Sequence, residues 1–205
     1  MSQNPVKKVL RDKIKSIING MTKEERDSQS SRIAQKIFNL PKYKIAQRVS
    51  VYFSTDKEVD TMPIIKDLFK NGKQVFVPTY KKNVMEMVQL YNLDDYNALP
   101  VTKWNIKQPN IDDNRMNCME CGLDLIILPG VAFTRNGNRL GHGMGYYDKF
   151  LTRYFEKHPK VHQSPDVTEP GTMLIGISFK QQIVDIDELP MEAHDYKLDL
   201  VVTSD

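Results

Sequence analysis

The sequence predicts an α/β fold: one domain, with a mostly parallel, Rossmann-like sheet flanked by helices. Three observations carry this. Short β-branched and aromatic runs alternate with helix-periodic segments after residue 48. The 205 residues, with 40% hydrophobic and 27% charged content, suit a single core of ordinary composition. An apolar strand, Leu123 to Leu128, leads through a polar loop and three alternating glycines into a helix.

The elements follow in order. Asn4-Pro5 offers a capping side chain and a proline at the first helical position. Val6, Leu10, Ile14 and Ile17 repeat at helical spacing as a core face, with Lys7, Arg11 and Lys15 on a neighbouring face and Gly20 at the end. Thr22-x-x-Glu25 is a capping box for a second helix, whose buried stripe is Ile33, Ala34, Ile37 and Phe38, with Pro41 beyond it. Val49 to Phe53 reads as a buried strand. Thr61-Met62-Pro63 opens a helix that stops at Asn71-Gly72, and Gln74 to Val77 is the next strand, ended by Pro78. This is a parallel strand–helix–strand unit. Met85 to Leu90 alternates as a strand open on one face.

Residues 91 to 122 read as a long loop containing Trp104, the single tryptophan. Such a loop usually covers a site. The helix after the glycines spans about Tyr146 to Lys157, burying Phe150, Leu151, Tyr154 and Phe155. His158 to Gly171 reads as an exposed insertion, and Met173 to Phe179 and Leu198 to Val202 complete the sheet.

Composition sets outer bounds. A net charge of +3 suits a small anion as well as nucleic acid. No run of about 18 apolar residues suggests a membrane span. The start of the chain has no apolar signal region and lacks the bias of a strong transit peptide, so a cytoplasmic address is expected. Cys118 and Cys121 form one Cys-x-x-Cys, better read as two reduced thiols than as a metal site, because His158 and His162 lie far downstream with Pro159 between them.

Gly141-x-Gly143-x-Gly145 matches neither the dinucleotide pattern nor the P-loop, so by itself it is either a phosphate cradle or a flexible turn. Its neighbours favour phosphate. Arg139 offers a two-point fork, Tyr146 and Tyr147 offer rings and hydroxyls, and Asp148 lies where a nucleotide-bound magnesium ion needs a ligand. Glu58 stands in an acidic loop after the first strand, where α/β sheets bind ligands, but such loops are mostly solvated. The same holds for Asp195 before the last strand, and Phe53 and Trp104 are either packing residues or stacking platforms.

The string Leu128-Pro129-Gly130-Val131-Ala132-Phe133, followed by Gly137-Asn138-Arg139-Leu140-Gly141-x-Gly143-x-Gly145-Tyr146-Tyr147-Asp148, resembles the signature of the 5-formyltetrahydrofolate cyclo-ligase (5,10-methenyltetrahydrofolate synthetase) family. Lys7-Lys8-x-Leu10-Arg11 resembles the family's basic N-terminal segment. Ser54 to Glu58, Pro78-Thr79-Tyr80, Met85-Glu86-Met87, Trp104-Asn105-Ile106 and Asp195-x-Lys197-x-Asp199 follow in the family's order, so the resemblance covers essentially the whole chain.

It implies a single-domain three-layer sandwich and an enzyme that turns 5-formyltetrahydrofolate into 5,10-methenyltetrahydrofolate with ATP and magnesium. The formyl oxygen would be phosphorylated and N10 would close the ring, releasing ADP and phosphate. By the same resemblance, ATP would meet Lys7, Lys8, Arg11, Arg139, Leu140, Gly141, His142, Gly143, Met144, Gly145, Tyr146 and Tyr147. The folate would meet Phe53, Glu58 and Trp104, with His142 to Tyr146 on its other side. Arg139 and Glu58 would be the catalytic residues, and Asp148 and Asp195 would hold the magnesium. His142 and Met144 depart from many members, which carry arginine or another residue at the first position and lysine or glycine at the second. A monomer is expected, acting on small molecules, including polyglutamylated folates, and on neither nucleic acid nor membrane. Other readings of the residues are a phosphate-substrate isomerase or transferase on a related fold, an RNA-binding protein, and an inactive relative of the family.

Overall fold

The computed structural model describes residues 4–102, 106–161, 170–193 and 195–205. Trp104 and His162 lie outside the described residues.

Three N-terminal helices come first: α1 (Pro5–Gly20), α2 (Lys23–Asn39) and α3 (Pro41–Ile45). Asn4 caps α1 by accepting from the Val6 N–H, and Thr22 caps α2 by accepting from the Glu25 N–H. The buried stripe of α1 is Lys7, Leu10, Ile14 and Ile18, which keeps the expected Leu10 and Ile14 and differs by one position at each end. Val6 and Ile17 are instead 54% and 40% exposed. The cause is Lys7, whose ammonium is neutralised by acidic residues near the C-terminus and so is tolerated inside.

The rest of the chain is β1 (Arg48–Ser50), α4 (Met62–Lys70), β2 (Gln74–Lys81), β3 (Val84–Leu90), α5 (Leu93–Ala98), α6 (Cys118–Cys121), β4 (Leu125–Leu128), β5 (Ala132–Phe133), β6 (Arg139–Leu140), α7 (Tyr146–Lys157), β7 (Met173–Ile177) and β8 (Leu200–Val202). Six strands form one sheet in the order β3-β2-β1-β4-β7-β8, parallel except for the β2–β3 pair. The α/β reading, with a mostly parallel sheet between helices, therefore holds.

Several boundaries differ from expectation. β2 continues through Pro78 to Lys81. Its neighbour β1 pairs only as far as Phe76, so Pro78 faces no ladder on that side and its missing N–H costs nothing. The stretch after Ser50 leaves the ladder although Val51 and Tyr52 remain buried. The segment from 91 to 122 contains two short helices, α5 and α6, and the polar loop before the glycines is the β5–β6 hairpin.

The strand period of two sorts the core into two layers. Val75, Val77, Leu125, Ile127, Met173 and Ile175 pack towards α1, α2 and α4. Phe76, Ile126, Leu128 and Leu174 pack towards Phe150, Leu151 and Tyr154 of α7. The chain runs outward from β1 to β2 and, in the other direction, from β4 to β7. A crevice therefore opens beyond the carboxyl ends of β1 and β4, the topological switch point where α/β sheets bind ligands.

Candidate active site

The loops after β1 and β4 build this crevice. After β4 the chain forms the β5–β6 hairpin, closed by the Val131 N–H donating to the Leu140 carbonyl at 2.7 Å. It then passes Gly143 and Gly145 and enters α7. Gly145 is the N-cap of α7 in the left-handed region (φ 66), a conformation open to glycine at little cost. It supplies no capping side chain, so the first N–H groups of α7 are left for an outside acceptor.

Arg139 lies beneath this turn. One guanidinium nitrogen donates to Asp148 Oδ1 at 2.9 Å, another to the Pro129 carbonyl at 3.3 Å, and the group lies 5.5 Å from the Tyr147 ring centre. The Arg139 side chain is only 3% exposed, and its Nε is buried without a hydrogen-bond partner. From α1, Arg11 Nε donates to the Gly141 carbonyl at 2.8 Å, while its Nη1 is also buried without a partner. Two cationic groups thus bracket the glycine turn, each with an uncommitted buried donor. Such donors are costly unless an anionic acceptor arrives.

Lys7 Nζ lies 2.6 Å from Asp195 Oδ2 and 3.5 Å from Glu192 Oε2, while Lys8 is exposed. Across the crevice, Glu58 is fixed by Thr55, whose N–H and hydroxyl both donate to Glu58 Oε2 at 2.9 Å. His142 Nε2 lies 3.7 Å from Glu58 Oε1, so His142 faces this carboxylate. Met144 is 58% exposed. Ile14, Lys15, Glu58, Gly130, His142 and Gln182 line a cleft of about 240 Å³ here.

Aromatic residues extend the walls. Tyr146 meets Tyr80 edge-on at 5.1 Å and donates its hydroxyl to the Lys82 carbonyl at 3.2 Å. Phe53 meets Tyr96 at 5.1 Å. Burial raises the Tyr147 hydroxyl well above the usual tyrosine range, and burial likewise raises Tyr80, so both stay protonated. Tyr80, Tyr96 and Gln182, which donates to the Gly130 carbonyl at 2.8 Å, were not among the expected site residues. Tyr80 belongs to Pro78-Thr79-Tyr80, one of the segments that resemble the family in order.

Arg139 and Asp148 are thus brought together as a pair, and Lys7 and Asp195 as another. Among the described residues no group of three or more His, Cys, Asp and Glu side chains gathers around a common point. Asp148 and Asp195 are each bonded to a cation, so a magnesium ion here would be held by one or both carboxylates together with phosphate and water. Cys118 and Cys121 are free thiols, with Cys118 buried, and His158 Nε2 is engaged with the Met119 carbonyl at 3.0 Å.

Gly137 anchors the hairpin to the segment before β8, its carbonyl accepting from the Leu198 N–H at 2.8 Å. At φ 97, a Cβ there would lie 2.3 Å from the Leu198 oxygen. Gly137→Ala is expected to destabilise the fold by about 3 kcal/mol or more. Thermal melting checks this against Gly20→Ala, where a Cβ meets nothing within 4 Å and no loss is expected.

The sequence profile of the 5-formyltetrahydrofolate cyclo-ligase family matches residues 3–204. Mouse 5-formyltetrahydrofolate cyclo-ligase is 40% identical over 205 residues, covering 98% of this chain and 95% of the mouse protein. A probable 5-formyltetrahydrofolate cyclo-ligase of Schizosaccharomyces pombe is 37% identical, over 86% of this chain and 84% of that protein. The solution structure of Aquifex aeolicus 5,10-methenyltetrahydrofolate synthetase superposes with a TM-score of 0.74 at 27% identity, over 97% of this chain and 90% of that one. A profile match across nearly every residue, on the fold and turn described above, shows that this chain belongs to the 5-formyltetrahydrofolate cyclo-ligase family and is an enzyme of that kind.

Proposed function

We propose that the protein converts 5-formyltetrahydrofolate to 5,10-methenyltetrahydrofolate, with ATP as co-substrate and magnesium, releasing ADP and phosphate. The observation that carries the ATP part is the glycine turn, with its open α7 N-terminus and the uncommitted donors of Arg11 and Arg139.

The chemistry explains why such a turn is needed. The formyl group on N5 is an amide, and its carbon is a poor electrophile because the nitrogen lone pair is delocalised into the carbonyl. Ring closure by N10 would have to expel oxide or hydroxide. Transfer of the γ-phosphoryl group to the formyl oxygen converts that oxygen into a phosphate leaving group. N10 then attacks the formyl carbon and gives up its proton to phosphate or water, phosphate departs, and the methenyl bridge remains. No protein nucleophile is required, so catalysis is positioning and charge stabilisation.

Each residue has a part in this reading. Arg139, Arg11 and the α7 N–H groups hold the phosphoryl oxygens as charge shifts. Lys7 and Lys8 add positive charge along α1. Glu58 orients the folate, with Phe53 and Tyr146 along its rings. Asp148 and Asp195 would hold the magnesium ion, which neutralises phosphate charge when bound. The lysine-rich surface attracts the glutamate tail of polyglutamylated folates. The protein acts as a cytoplasmic monomer. No helix among the described residues is long and apolar enough to cross a membrane.

Purified protein mixed with 5-formyltetrahydrofolate, ATP and magnesium is expected to produce methenyl absorbance and phosphate in equal amounts. Phosphate release independent of the folate, or no methenyl product, would contradict this function. Glu58→Gln is expected to raise KM for the folate by about ten- to a hundredfold, the range for a lost charged hydrogen bond. A matching rise in KM for ATP would remove Glu58 from the folate side.

A further inference from the structure

We propose that Tyr96 is a further substrate-contacting residue, a second aromatic wall beside Phe53 for a flat ring of the folate, and that Arg115 is the residue that positions it. The inference rests on the folate reading of the site given above.

Helix α5, which carries Tyr96, is six residues long and fully buries none of them. A helix this short is not stable by itself, and only Leu93 and Tyr96 rest partly buried against the core. Yet it is fastened firmly. Arg115 forms a two-point fork with Asp95 at 2.6 and 2.7 Å, and also donates to Asp113 at 3.2 Å and to the Gln89 carbonyl of β3 at 3.1 Å. The Arg115 side chain is 11% exposed, and its guanidinium lies 5.3 Å from the Tyr91 ring centre. Asp95 also accepts from the Tyr91 N–H at 2.9 Å, and the Asn92 side chain caps α5 through the Asp95 N–H at 2.8 Å.

Lys107 completes the fastening. Its Nζ donates to the Tyr96 carbonyl at 2.9 Å and lies 4.9 Å from the Tyr96 ring centre. Arg115 holds the Asp95 carboxyl below the usual carboxylate range, so the fork stays ionised at neutral pH.

What this fastening delivers is one aromatic face. The Tyr96 ring is half-buried and tilted 58° to Phe53, which is also half-buried and stands just beyond the carboxyl end of β1. Two partly open rings at the switch-point side of a sheet form a surface for a conjugated planar group. Besides its packing, the ring is held through two bonds from Arg115 to Asp95 of its helix, and two more tie Arg115 to Asp113 and β3.

A double-mutant cycle in the methenyl-absorbance assay tests this. Tyr96→Ala is expected to raise KM for the folate about five- to twentyfold, with KM for ATP within about twofold. Tyr96→Phe, which keeps the ring, is expected to recover most of that loss. Arg115→Ala is expected to raise KM for the folate in the same direction, and the double variant is expected to be no worse than Tyr96→Ala, because both act through one ring. Thermal melting of each variant identifies any general loss of fold. If Tyr96→Ala leaves KM for the folate unchanged in an active enzyme, or raises both KM values equally, the inference is overturned alone. A wild-type protein that makes no methenyl product overturns the function and this inference together.

Discussion

Arg139→Ala is expected to lower turnover by about a hundred- to a thousandfold, the scale seen when a donor to a developing negative charge is removed. Arg139 is buried, its fork spans Asp148 and the Pro129 carbonyl, and its Nε is unpartnered. Alanine would remove the phosphate donor and would also leave the mostly buried Asp148 carboxylate without its cation. Breaking such a pair commonly costs about 3–5 kcal/mol. A chain of this size then loses roughly 6–20 °C in melting temperature. The two losses separate in Arg139→Lys. Lysine keeps the charge beside Asp148 but presents a single point where arginine presents a planar fork. Stability is expected to return further than turnover does. Normal ATP kinetics in Arg139→Ala would remove the phosphate role of this residue.

Asp148→Asn is expected to raise the magnesium concentration needed for half-maximal turnover about tenfold or more, and also to lower melting, because the buried Arg139 loses its counter-charge. The amide oxygen of asparagine can still accept from Arg139, which now bonds Asp148 at 2.9 Å, so the first turn of α7 keeps its tie to β6. The lost element is the negative charge. Turnover measured against magnesium concentration at fixed ATP reads this directly, and an unchanged curve would take Asp148 out of the metal role. Sequence reading gave Arg139 and Asp148 to separate ligands. In the structure the two side chains are also bonded to each other, at 2.9 Å.

Local chemistry made much of this fold legible. The α7 limits follow from the glycine turn and the buried spacing of Phe150, Leu151 and Tyr154, and α2 from Thr22 and its apolar stripe. What escaped depends on partners distant in sequence. The burial of Lys7 at the start of α1 depends on its pairing with Asp195, 188 positions away. The passage of β2 through Pro78 depends on where β1 ends. Helix α5 is too short for a clear apolar period, and besides Leu93 and Tyr96 it is held by Arg115, far along the chain. In the site, the glycine turn and Arg139 could be read from the string itself. The approach of Arg11 to Gly141, 130 positions away, and of Tyr96 to Phe53 could not, because no local pattern encodes either.

In the proposed function, the turn from Arg139 to Asp148 receives the triphosphate beside the folate cleft. A crystal structure with a non-hydrolysable ATP analogue, magnesium and 5-formyltetrahydrofolate tests it most directly. The account predicts the terminal phosphate at the α7 N-terminus, accepting hydrogen bonds from the Gly145–Tyr147 backbone and the Arg11 and Arg139 guanidiniums, with the formyl oxygen in line. A triphosphate bound elsewhere on the molecule, with this turn empty, would contradict it.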